Sequence, residues 1–167
     1  MSTISVLLID NNPGFLRILT SFLERYGRGQ VVVAGTALGG KDGIAKAYRL
    51  RPHVVLVDLA MSDLHGLETI PRLRSMLPAT GIIALTLMDA ASYRDAALAA
   101  GADEFVSKVG LDTDLLPAIF RLGAVDPASP QSGDKSRPCG DQLDPDNAVE
   151  AGAAALSLSE VGGGRRP

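Results

Sequence analysis

The chain has 167 residues with a net charge of -3 and a pI of about 5.3, so the charge balance gives no reason to expect nucleic acid as a default partner. Apolar residues make up 46%, enough for one ordinary domain with a real core. A single cysteine, Cys139, excludes an intrachain disulfide or a multi-cysteine metal cluster. No apolar run approaches the roughly 18 residues of a membrane span, and the N-terminus lacks the basic region of a signal peptide. A cytoplasmic location without membrane contact is the expectation.

In chain order, the pattern alternates short apolar runs with longer amphipathic ones. "ISVLLID" (4–10) reads as a buried strand that ends on a carboxylate. Asn12-Pro13 then starts a helix, Asn as cap and Pro at the first helical position. Phe15, Leu16, Leu19, Phe22 and Leu23 recur at helical spacing up to Gly27. "QVVVAGTA" (30–37) is a second strand, and "KDGIAKAYRLR" a helix ended by Pro52. "HVVLVDL" (53–59) is a third strand. "LETIPRLRSML" is a helix in which Pro71 is expected at the end of the first turn. "GIIALTLM" (81–88) is a fourth strand, "ASYRDAALAAG" a helix closed by Gly101, and "EFVSK" (104–108) a fifth strand. "DLLPAIFRL" is a short last helix, with Pro117 near its start.

All seven aromatic residues lie at or before position 120, whereas five of the ten prolines lie after 125. Residues 1–125 are therefore expected to form the domain, and 126–167 a mostly disordered tail. Asn147 to Leu158 is a candidate for a transient helix within it. The tail carries no helix-turn-helix pattern and no basic stripe, so direct DNA binding is not expected.

Strands that are apolar throughout are covered on both faces, which predicts an α/β sandwich with a doubly wound, five-stranded parallel sheet. In such sheets ligands bind outside the carboxyl ends of the strands. Asp10-Asn11, Asp58, Thr86 and Lys108 stand at the ends of strands one, three, four and five. Alone, each has a plain reading, as turn residue, strand residue or surface lysine. Together they place two carboxylates, a hydroxyl and an ammonium on one sheet edge.

With "LLIDNNP", "HVVLVDLAMSDLHGLE", "IIALTLMD" and "GADEFVSK", the chain resembles the receiver domain of two-component response regulators from residue 4 to about 122. The middle motif is close to the family's "DLxMPxxDGLE". The likeness is greatest to receivers whose full-length members carry a helix-turn-helix output domain, here without such a domain. The resemblance implies a flavodoxin-like three-layer fold. It implies that Asp58 accepts a phosphoryl group from a sensor histidine kinase, with Mg²⁺ held by Asp10, Asn11, Asp58 and the Ala60 carbonyl. Lys108 would pair with a phosphoryl oxygen, Thr86 would hydrogen-bond another, and Phe105 would be the aromatic of a Thr86-linked switch. The alternative for Phe105 is a plain core aromatic on a strand. The resemblance also implies a downstream effector protein and allows a homodimer.

Three departures stand out. Asn11 replaces a second acid, which removes roughly 4 kcal/mol of attraction per unit charge at about 4 Å and an effective dielectric of about 20. Weaker Mg²⁺ binding is expected, although the pocket also repels an incoming phosphoryl dianion less. Ser62 replaces a proline, which loosens its loop. Pro117 is expected to shorten the last helix.

Rival readings are a phosphorylation-independent pseudo-receiver that acts by protein contact, favoured by Asn11, and a cofactor module. "DLHGLE" partly matches the Asp-x-His-x-x-Gly of cobalamin-binding domains, but Glu68 stands where glycine belongs, so His65 is expected as an exposed loop residue. "GTALGG" (35–40) is glycine-rich after a strand but lacks dinucleotide spacing.

Overall fold

The structure, a computed structural model, describes residues 3–87 and 91–124. The expected tail (126–167) and Cys139 lie outside the described residues. Five strands alternate with five helices: β1 (Ile4–Ile9), α1 (Pro13–Tyr26), β2 (Val31–Ala37), α2 (Gly40–Leu50), β3 (Val54–Asp58), α3 (Gly66–Met76), β4 (Gly81–Thr86), α4 (Ala91–Ala100), β5 (Glu104–Ser107) and α5 (Leu111–Gly123). The sheet order is β2-β1-β3-β4-β5 and the pairings are parallel. This is the doubly wound sandwich that the alternating pattern predicts, in the flavodoxin-like form that the resemblance implies.

Strand periodicity divides the core. Ile4, Val6 and Leu8 of β1, Val54 and Leu56 of β3, and Ile83 and Leu85 of β4 pack with α1 and α5. Leu7, Ile9, Val55, Val57, Ile82 and Ala84 pack with α2, α3 and α4 on the opposite face. Central strands with no polar face are thus explained: both of their faces are interior. Edge strand β2 alternates buried and exposed residues instead, and its register on β1 slips once between Val6 and Leu7.

Asn12 caps α1 as expected, its Oδ1 accepting from the Phe15 N–H at 3.1 Å, and Pro13 takes the first helical position. The other two helical prolines differ from expectation. α3 begins at Gly66, so Pro71 is its sixth residue and falls in the second turn. α5 begins at Leu111, and Pro117 is its seventh residue. Pro117 therefore does not shorten the helix. Asp112 and Asp114 in the first turn favour an earlier start by meeting its positive end. Both prolines are exposed, on the outer faces of their helices.

Candidate functional site

The carboxyl ends of β1, β3 and β5 bring three charges together. Asp10, at the end of β1, is held by its own backbone N–H donating to the Ala37 carbonyl at 3.0 Å. Its Oδ1 accepts from the Asn12 N–H at 2.8 Å, which turns the chain into α1. Its Oδ2 lies 2.5 Å from Lys108 Nζ. Lys108 follows β5 and is fixed by its N–H donating to the Thr86 carbonyl at 2.7 Å. The same ammonium is 3.0 Å from Asp58 Oδ1 and 4.4 Å from the centre of the Phe15 ring. The carboxylates are 1% and 3% exposed as residues, so these charges interact with little screening.

Asp58 Oδ1 is buried and has no hydrogen-bond donor. The 3.0 Å approach of Lys108 supplies attraction without hydrogen-bond geometry. Two carboxylates facing one ammonium leave the cluster at -1. An under-satisfied buried carboxylate beside a second one suits a hard cation, which takes oxygen ligands. Asn11 and Ala60 sit at the same strand ends and are exposed, so an amide oxygen and a backbone carbonyl border the two acids. Among the described residues, no three His, Cys, Asp or Glu side chains form a metal-holding group. With Asn11 in the third position, any such site relies on neutral oxygens for its remaining ligands.

Thr86 ends β4, is 2% exposed and pairs with Ser107. By strand alternation it shares the sheet face of Ile82 and Ala84. Phe105 is half-buried against that same face, directly opposite Ala84. Thr86 and Phe105 therefore share one face of the β4–β5 pair. His65 is exposed at the start of α3, as expected. Sequence reasoning missed Phe15 as a partner of Lys108, since its helical spacing marks only a core position. It also missed Asp63, whose contacts lie far away in sequence.

A family model described as "Response regulator receiver domain" matches residues 6–120. The chain belongs to the response regulator receiver family. It is 37% identical over 105 residues to the "Probable transcriptional regulatory protein TcrX" of Mycobacterium tuberculosis, covering 63% of this chain and 43% of that protein. It is 33% identical over 119 residues to the "Response regulator protein VraR" of Staphylococcus aureus, covering 70% of this chain and 55% of that protein. The receiver thus spans about half the length of the curated relatives it matches. The response regulator domain of Thermotoga maritima CheB superposes with a TM-score of 0.67 at 25% identity, over 74% of this chain and 98% of that one. As a response regulator receiver, the domain is a phosphoacceptor signalling module of the two-component class. Among the described residues, no helix is long and apolar enough to cross a membrane.

Proposed function

We propose that this receiver accepts a phosphoryl group on Asp58 from a phosphohistidine of a sensor histidine kinase, and that the modified site switches binding to an effector protein. The observation that carries this reading is Asp58 itself. Its carboxylate is buried at a strand end beside Lys108, yet keeps an oxygen without a hydrogen bond. Such an atom is costly to hold at rest and well placed to form a new bond.

An Asp58 carboxylate oxygen attacks phosphorus in line, the phosphorus–nitrogen bond breaks, and its electron pair returns to the imidazole. An acyl phosphate on Asp58 results. Lys108 turns from the Asp58 carboxylate to a phosphoryl oxygen while Asp10 keeps its other contact. The Thr86 hydroxyl donates to a second phosphoryl oxygen, and Phe105, on the same face, repacks with it. Asp10, Asp58, the Asn11 amide oxygen and the Ala60 carbonyl would hold Mg²⁺, which supplies charge neutralisation for the incoming phosphoryl oxygens.

The second reading, a receiver that signals in one fixed state by protein contact, draws on Asn11 and on Lys108 already bridging both acids. Mass spectrometry after incubation with acetyl phosphate and Mg²⁺ separates the two. The first reading expects a gain of one phosphoryl group that is absent in Asp58→Asn. No gain at any Mg²⁺ concentration, with Asn11→Asp restoring it, would establish the second.

A further inference from the structure

The glycine pair in "GTALGG" has no phosphate-loop spacing, yet the backbone there makes unusually close approaches. A Cβ added at Gly39 would lie 2.5 Å from Asp63 Oδ2. One at Gly40 would lie 2.8 Å from the Leu64 carbonyl, and one at Gly43 would collide with the Ile9 side chain. These glycines let the first turn of α2 sit against the end of β1 and the loop between β3 and α3. Those two segments carry Asp10 and Ala60.

Asp63 closes this seam. Its Oδ1 accepts from the Gly40 N–H at 3.1 Å and its Oδ2 from the Lys41 N–H at 3.3 Å. The residue at the cap position of α2, Gly39, has no side chain to do this. An acid 23 residues away therefore caps the helix and meets its positive end. Slight burial pushes the Asp63 carboxyl up, but the N–H groups of Leu64, Gly40, Lys41 and Asp63 itself outweigh it and hold it below the ordinary aspartate value.

The loop is pinned at its base as well. A Cβ at Gly66 would meet the Asp58 carbonyl and lie 2.7 Å from Leu59 Cα. The start of α3 is therefore packed directly on the backbone of the acceptor residue. Between base and tip the loop buries Met61 and Leu64, while Ser62 stands where a proline would stiffen it and His65 makes no side-chain cap to α3.

We propose that Asp63 is a positioning residue of the Asp58 site. By tying the tip of the β3–α3 loop to α2, it sets where the Ala60 carbonyl stands relative to Asp58 and Asp10. The inference rests on the phosphoacceptor reading above.

The test measures phosphorylation by acetyl phosphate across a Mg²⁺ series, and Mg²⁺ binding without donor by calorimetry, in the full chain. Asp63→Ala is expected to raise the half-saturating Mg²⁺ concentration at least fivefold while leaving the rate at saturating Mg²⁺ within twofold. Asp63→Asn, which keeps one acceptor oxygen, should fall between. Gly39→Ala, which crowds the carboxylate and leaves Asp63 in place, should reproduce the shift. An unchanged Mg²⁺ requirement in Asp63→Ala and Gly39→Ala, with faster amide exchange at Gly40 and Lys41 in Asp63→Ala, would overturn the proposal and leave Asp63 a helix cap only. A wild-type chain that neither binds Mg²⁺ nor takes a phosphoryl group would instead sink the phosphoacceptor reading, and this inference with it.

Discussion

Two cations tie the sheet together at the opposite ends of its strands, and they are satisfied very differently. Arg74, at the end of α3, makes five hydrogen bonds. Its Nε and Nη2 donate to the Gly101 carbonyl at 3.1 and 3.0 Å, and its Nη1 to the Pro78 and Thr80 carbonyls at 2.8 and 2.9 Å. Its Nη2 also meets Asp103 Oδ2 at 2.5 Å, an oxygen that accepts from the Ile82 N–H as well. A guanidinium has five N–H donors, so this cluster has nothing left to bind. Lys108, at the carboxyl ends, has two carboxylates in reach and leaves Asp58 Oδ1 without a hydrogen bond. A complete set of partners fixes a structure, whereas an incomplete buried set leaves room for a ligand. That distinction separates a staple from a site more sharply than burial or charge does.

The sharpest way to break the comparison is to neutralise both clusters and read stability and chemistry together. Asp58→Asn should lose phosphoryl uptake entirely by mass spectrometry, yet keep its urea midpoint or raise it, since an under-satisfied buried carboxylate is removed and Lys108 keeps Asp10. Arg74→Ala should do the reverse. Leaving several carbonyls and Asp103 short of donors is expected to cost about 3 kcal/mol in urea unfolding, with phosphoryl uptake retained below the transition. If Asp58→Asn proves the more destabilised of the two, the site is a staple after all and the comparison fails.

A smaller effect sharpens the comparison at the site itself. Asn11→Asp adds a charge at the mouth of a cluster that already sums to -1. Mg²⁺ affinity measured by calorimetry should rise on the order of tenfold, about 1.4 kcal/mol, once water and side-chain rearrangement have reduced the raw Coulomb attraction. An unchanged affinity would mean that position 11 does not face the metal.

The strand-end charges were legible because a buried parallel strand has no local use for a carboxylate. Asp10 and Asp58 therefore stood out against the apolar runs before them, and the sheet's connectivity predicts one shared edge. The helix starts were less legible. Pro117 reads as a start signal, but the two acids in the first turn of α5 and the packing of Leu115, Ala118 and Ile119 outweigh it. Pro71 shows the same thing, since an exposed proline in the second turn costs less than moving the buried Thr69, Ile70 and Leu73 off their face. Lys108 over Phe15, and Asp63 on α2, join residues far apart in the chain. Neither leaves a periodic trace, so only the folded chain reveals them.

The smallest expected effect concerns Asp63. Its carboxyl is held below the ordinary value of 3.8. A depressed carboxyl contributes stability that is fully present above the ordinary value and lost as pH falls through the lowered one. The N-terminal turn of α2 should therefore loosen on acidification below about 3.8, read as faster amide exchange at Gly40 and Lys41 relative to the intrinsic rate. Asp63 is exposed, so water replaces part of what is lost and the global unfolding midpoint should hardly move. Asp42, also in the first turn, pairs with Lys46 at 2.7 Å. The comparison with Asp63→Asn isolates the contribution, because the amide keeps an acceptor but cannot titrate. Equal acid loosening in the variant and the wild type would leave Asp63 without a charge-dependent role. A flat profile in the variant alone would show that the clip draws on the charge of Asp63 and not only on its oxygens.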